Sequence, residues 1–225
     1  MRNKILLIFF LLDTFIHLVL IPLKDTKSKK IGIYITKPLL MPLLALYYAL
    51  NNQNINGLIL GGILLGWVGD VTLMWPKNEK CFIVGLGSFL LGHILYIITF
   101  FKIAGDLSYF KPINYLVLIA YGAFFIGMLR YLKGSLGEMK IPVILYMTLI
   151  LVMSFASFVL LFLPESTITN ILTYKWLPFL GSLLFIASDS LLANQLFKKP
   201  FKNDQVLIMI TYIFAQFCIA QAYMI

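Results

Sequence analysis

Three observations predict an all-α integral membrane protein of eight transmembrane helices. Eight apolar stretches, each long enough to cross a bilayer core at about 20 residues, follow one another along the 225-residue chain. The links between them are short and leave no room for an extramembrane domain. Lys and Arg are dense in every second link and sparse in the others, as membrane topology requires. The whole chain, 1–225, therefore reads as a single polytopic membrane domain.

The first helix, 4–23, follows a basic start and resembles a signal peptide. Asp13 and His17 interrupt its apolar run and no small-x-small cleavage site follows, so it reads as a retained helix. Those two residues stand four apart, the spacing of a local ion pair. The second helix, 31–50, carries Lys37 followed by Pro38, and the third, 57–75, carries Asp70. On the fourth, 81–101, Phe82, Gly85, Phe89, His93 and Tyr96 recur at spacings of three or four and share a face. The fifth and sixth span 113–132 and 141–163. The seventh, 174–197, carries Asp189, and the eighth, 205–225, carries Tyr212 and Gln216 four apart on one face.

Charge sets the orientation. The links after helices 1, 3, 5 and 7 hold twelve of the eighteen Lys and Arg, the opposite side holds five, and Lys37 lies within a helix. This asymmetry predicts odd-numbered links in the cytoplasm and both termini outside; a bacterial inner membrane is the expected residence. At 1.5 Å per residue, Asp70 (six before Pro76), Asp189 (nine before Lys198), Lys37 and Tyr212 all fall about 9–14 Å from the cytoplasmic ends of their helices. His93, Tyr96 and Gln216 lie deeper. Four helices thus bring polar groups to a similar level, as a central pocket open to the cytoplasm needs.

Asp70 and Asp189 are the strongest functional signal. A carboxylate in hydrocarbon costs about 3 kcal/mol or more, so intramembrane acids face polar cavities and mark function. Their settings match: GILLGWVGDVTL and GSLLFIASDSLL align over twelve positions at an offset of 119, close to half the chain. Both helices run the same way, which suggests two parallel four-helix repeats with the aspartates facing each other. The glycines beside each acid also suit close helix packing, with each Asp hydrogen-bonding across that interface.

Lys37 has two readings, snorkelling to the surface or pointing inward as counter-ion or phosphate partner. His93 reads equally as a satisfied interior residue or as a functional one. Cys81 and Cys218 read as small buried hydrophobes. With two histidines in the chain, a metal site of three ligands is poorly supported, and only Asp70, Asp189 and His93 would supply one. A charge of +9 invites comparison with nucleic-acid binders, but no basic stripe interleaves with aromatics, which argues against nucleic acid as a partner.

Five motifs in series carry a resemblance: TKPLLMP, GDVTLMWP, GLGSFLLGHILYIITF, GSLLFIASDSLLANQLF and TYIFAQ. In this order and spacing they resemble the YhhN family of eight-span membrane proteins, whose animal members are lysoplasmalogenases. The resemblance implies a lysophospholipid substrate and hydrolysis of its vinyl ether bond, giving a fatty aldehyde and a glycerophospho-ethanolamine or -choline. It also implies that Asp70 and Asp189 are the catalytic pair. Such chemistry protonates the vinyl carbon and needs neither metal nor other cofactor. A carboxyl desolvated beside a second carboxylate keeps a proton, so one protonated and one ionised aspartate is the expected state. Ser188 and Asn194, placed to hold a water, favour Asp189 as the base. Lys37, His93, Tyr96, Tyr212 and Gln216 would orient the pair and the head group.

Two other classes share these features. A proton-coupled carrier also uses parallel repeats and intramembrane acids. A metal-dependent lipid amidase or esterase would need the histidines that this sequence lacks.

Overall fold

A computed structural model describes residues 4–75, 78–105, 111–168 and 171–224, apart from the side chains of Ser166 and Thr167. Arg2, Pro76, Lys77 and the last residue of the eighth predicted helix, Ile225, lie outside these. The elements are α1 (Lys4–Leu20), α2 (Lys27–Leu50), α3 (Gly57–Thr72), α4 (Glu79–Ala104), α5 (Pro112–Leu132), α6 (Lys140–Val159), the one-turn α7 (Glu165–Ile168), α8 (Leu177–Phe197) and α9 (Asp204–Ala222). Two single 3-10 turns, Gly137–Met139 and Leu160–Phe162, flank α6. The described residues contain no strand. The fold is all-α, and the predicted seventh and eighth helices are α8 and α9.

Helix limits follow local chemistry. Thr26 caps α2 by accepting from the Lys29 amide, and Asn56 caps α3 by accepting from Leu58 and Ile59. Asn78 does the same for α4 through Cys81. Pro112 opens α5, where its missing N–H costs nothing. Before α9 the chain turns at Asn203, whose φ of 66° is a left-handed conformation that Asn tolerates.

Among the described residues six helices, α2, α4, α5, α6, α8 and α9, are long and apolar enough to cross a membrane. The chain is an integral membrane protein. The other two of the eight expected spans are shorter than expected, α1 at 17 residues and α3 at 16. Sixteen residues reach about 24 Å against a hydrocarbon core of about 30 Å. Where α3 ends, the Met74 and Trp75 amides bond the Val71 and Thr72 carbonyls three residues back, at 3.2 Å each, so the chain tightens out of the α-helix just after Asp70.

The tightest packing joins α3 to α4 and α8 to α9. In the first half α2 packs on α3, and in the second α6 packs on α8. α4 crosses to α6, while α9 crosses to α2. The order of neighbours is therefore the same in both halves. Leu40, Leu44, Ile63, Tyr96, Phe185 and Ile219 belong to the core that this arrangement buries. A buried serine cluster adds polar ties: Ser154 and Ser157 of α6 each pair with Ser182 of α8, at 2.8 and 2.9 Å, and Tyr121 of α5 pairs with Ser154 at 2.7 Å. Such hydrogen bonds, with small residues at contacts, hold helices together where lipid offers no hydrophobic drive.

The expected Asp13–His17 ion pair does not form. His17 Nδ1 instead pairs with Thr36 Oγ1 of α2 at 2.8 Å, and Asp13 Oδ2 has no hydrogen-bond partner among the described residues. A neighbouring helix offered the imidazole a buried hydroxyl. Cys81 and Cys218 are both free thiols.

Candidate active site

Helix α2 sets one side of the site. Pro42 has no N–H to give the Pro38 carbonyl one turn earlier, and the Trp67 indole of α3 donates to that oxygen instead, at 2.9 Å. The bond pins α2 to α3 one turn before Asp70 and brings Lys37 opposite it. Lys37 Nζ lies 4.0 Å from Asp70 Oδ1, with the two side chains 14% and 4% exposed. The lysine points inward to a buried acid.

From the far side, Tyr212 of α9 donates to Asp70 Oδ2 at 2.8 Å. Gly66 permits this approach, since a Cβ there would stand 2.8 Å from the Tyr212 hydroxyl and 2.7 Å from Gln216 Nε2. Gly62 likewise admits the ring of Tyr96, and Gly69 the ring of Phe89. The glycine stripe of α3 therefore makes room for aromatic rings. Tyr96 in turn donates to Gln216 Oε1 at 2.7 Å. Lys37, Asp70, Tyr212, Gln216 and Tyr96 form one buried polar string across α2, α3, α9 and α4.

Asp189 belongs to a different setting. Its Oδ2 accepts from Tyr146 of α6 at 2.8 Å. Tyr146 was not among the residues expected here, because its partner stands 43 residues away on another helix. A signal existed: Tyr146, Ser154 and Ser157 lie eight and three apart, on the face of α6 that meets α8. Asp189 has no cation among the described residues within ion-pair distance.

His93 is 2% exposed and stands edge-on to Tyr146, with centroids 5.4 Å apart, and to Phe185 at 5.0 Å. Its Nδ1 has no hydrogen-bond partner among the described residues. His93 and Tyr212 are 119 residues apart, the same offset as Asp70 and Asp189. Each stands on the helix that follows an acid, and each reaches toward the other half: Tyr212 to Asp70, His93 to Tyr146 beside Asp189.

No hydrogen bond joins the two aspartates among the described residues. Aromatic rings separate their settings. Tyr212 packs edge-on against Phe89, with centroids at 5.6 Å, and against Phe185 at 5.9 Å. Asp189 and Tyr146 line a cleft that also takes Phe82, Phe89, Phe124, Met147, Ile186 and Phe197; Asp70 does not line it. The empty space of the cleft, its open mouth included, is about 720 Å³. Its other hydroxyl, Ser190, is committed to the Ile186 carbonyl at 2.6 Å. The cleft extends to Phe82 at the start of α4, Val143 at the start of α6 and Phe197 at the end of α8. The ends of α4 and α8 carry Lys80 and Lys198.

Ser188 and Asn194 do not serve Asp189. Helical side chains turn about 100° per residue, so Ser188 points to α9, where its hydroxyl donates to the Ile208 carbonyl at 3.1 Å. Asn194 accepts from the Tyr131 hydroxyl and donates to the Lys199 carbonyl at 3.0 Å, fixing the end of α8. Neither side chain hydrogen-bonds the carboxylate.

The arrangement can pass a proton between a carboxyl and an apolar guest, beside a buried and charge-compensated network. A family model describing the YhhN family matches residues 32–223, which takes in every residue of both settings. The chain belongs to the YhhN family. Among curated proteins it is similar to the human lysoplasmalogenase TMEM86B, 28% identical over 163 residues, 72% of this chain and 61% of the relative. The chain thus spans about three fifths of that relative's length. No solved structure matches.

Proposed function

We propose that this YhhN-family protein is a membrane-embedded hydrolase that cleaves the vinyl ether bond of a lysoplasmalogen. The observation that carries the reading is the cleft: apolar along its walls, with Asp189 and Tyr146 as its available polar groups. A single-chain lipid fits this chemistry. Its tail lies among Phe82, Phe89, Phe124 and Met147, and its phosphate stays at the mouth near the basic helix ends. The likeness to a protein named lysoplasmalogenase supports the same bond as the target. By the charge asymmetry, the mouth is cytoplasmic and both termini are outside.

In the proposed reaction the Asp189 carboxyl gives its proton to the vinyl carbon β to oxygen, leaving an oxocarbenium ion at the α carbon. Water adds to that carbon and returns its proton to Asp189. The hemiacetal then collapses, its hydroxyl proton passing to the departing glycerol oxygen, to a fatty aldehyde and a glycerophospho-ethanolamine or -choline. Asp189 thus serves as acid and then as base. The Tyr146 hydroxyl holds its carboxyl in one orientation and stabilises the anion left after proton transfer. Asp70, compensated by Lys37, acts through Tyr212, which braces Phe89 of the cleft wall and, behind it, Phe185. Asp70 is thereby a positioning residue. Proton transfer of this kind draws on no metal.

The test is aldehyde release from purified protein in detergent, supplied with choline and ethanolamine lysoplasmalogens. The wild type is expected to release aldehyde, and Asp189→Asn, in a monodisperse preparation, is expected to release none above background. Wild-type protein that yields no aldehyde, but drives uptake that collapses with the proton gradient, would replace the hydrolase by a carrier.

A further inference from the structure

Helix α5 is the least enclosed of the long helices, and only Asn114 and Leu132 of its described residues are buried. One side of it, with Phe124 and Met128, faces the cleft. The other side forms a second feature with α6. Leu118, Gly122 and Phe125 line an apolar hollow with Thr148, Leu151 and Phe155. Further along the same faces, Ile126 and Leu129 line a second hollow with Ile144, and this one ends in Arg130, Lys133 and Lys140. On α5 the positions 118, 122, 125, 129 and 133 step by three or four, and so do 140, 144, 148, 151 and 155 on α6. The two hollows are therefore one groove along a single helix pair.

The groove is apolar along its length and cationic at one end. From Leu118 to Lys133 it runs about 22 Å at 1.5 Å per residue, enough for an acyl chain in one leaflet and the head group above it. The cationic end is built by the α5–α6 turn, where Gly134 and Gly137 take φ of 80° and 49°, conformations that favour glycine. Among the described residues no carboxylate pairs with Arg130, Lys133 or Lys140. The acid of that turn, Glu138, does not line the hollow. Thr148 adds no free donor, because its hydroxyl is spent on the Ile144 carbonyl at 2.9 Å.

We infer that the outer α5–α6 groove is a binding site for an anionic phospholipid of the surrounding bilayer, its phosphate held by Arg130, Lys133 and Lys140 and an acyl chain lying along Leu129, Phe125 and Gly122. Three cations without an acid partner, at the end of an apolar slot, complement a phosphate ester bearing net negative charge. The groove and the substrate cleft lie on opposite sides of α5, so this lipid is distinct from the substrate. It covers the helix that the protein itself leaves open, and through Phe124 and Met128 it steadies the cleft wall.

Native mass spectrometry of the full chain tests this, after equilibration in detergent with phosphatidylglycerol or with phosphatidylcholine of identical chains. The expected result is one phosphatidylglycerol retained at least tenfold more tightly than phosphatidylcholine, with the preference shrinking as salt rises. The triple variant Arg130→Gln/Lys133→Gln/Lys140→Gln is expected to lose the preference. Gly122→Leu is a second probe, because Gly122 lines the slot and a Cβ there meets nothing within 4 Å. It is expected to weaken retention of both lipids while leaving the charge preference. Equal retention of the two lipids by the wild type would overturn the inference. So would an undiminished preference in the triple variant, or a lipid-free dimer in which a second copy covers α5. None of these readouts depends on aldehyde release, so the site and the proposed activity fail separately.

Discussion

Tyr146 donates its hydroxyl to Asp189 at 2.8 Å, and that carboxylate, unlike Asp70 with Lys37 at 4.0 Å, has no cation beside it among the described residues. The two acids, alike in sequence, therefore differ in partner charge and in access. One opens onto a cleft and the other is closed behind aromatic rings.

The first consequence concerns Tyr146. Tyr146→Phe removes one hydrogen bond to the proposed acid and keeps the ring that packs against His93. A hydrogen bond to a group that becomes charged is worth about 1.5–3 kcal/mol, so kcat is expected to fall by roughly 10- to 150-fold with KM little changed. Steady-state kinetics on the purified variant check this. A Tyr146→Phe enzyme with the wild-type rate would remove the tyrosine from the mechanism.

Asp70 is expected to matter for stability as well as rate. Asp70→Asn leaves the inward-pointing Lys37 without its counter-charge, and breaking a buried pair costs about 3–5 kcal/mol. Thermal unfolding in detergent should show a lower melting temperature for Asp70→Asn. The double variant Lys37→Met/Asp70→Asn should recover a large part of it. A single variant as stable as the wild type would show the pair to be energetically idle.

The glycines of α3 give a contrast. Gly62→Ala forces a methyl group into the ring of buried Tyr96, an overpacking expected to cost about 1–3 kcal/mol. Gly57→Ala, where a Cβ meets nothing within 4 Å, should be neutral or slightly stabilising. Equal melting temperatures for the two variants would contradict the close approach described here.

Proton transfer from a carboxyl to carbon requires no metal. Aldehyde release is therefore expected to survive exhaustive chelator treatment, followed by dialysis, at the untreated rate. Loss of activity restored by one added metal ion would contradict that reading.

Much of this was legible in the sequence. Apolar run lengths located the long helices to within a few residues, because lipid demands uninterrupted apolar stretches. Asp70 and Asp189 stood out because acids are costly in such stretches. Lys37 was legible as a candidate counter-ion, but only the Trp67 bond to the Pro38 carbonyl shows which way α2 turns it. Tyr146 was missed because its partner is 43 residues away and the contact exists only when α6 packs on α8. Ser188 and Asn194 misled for the opposite reason. Proximity in sequence stood in for proximity in space, while the helical turn carries both away from the carboxylate. The division between an open and a closed acid arises from Phe89, Tyr212 and Phe185, which come from three helices and leave no local signature.

The central claim is that a carboxyl on α8 protonates the vinyl carbon of a lysolipid. Turnover in deuterated water, with the aldehyde trapped as it forms and analysed by mass spectrometry, tests it most directly. The account predicts one solvent deuterium on the carbon next to the carbonyl from the wild type, and no enzymatic aldehyde from Asp189→Asn. Aldehyde without that deuterium, or full turnover by Asp189→Asn, would contradict it.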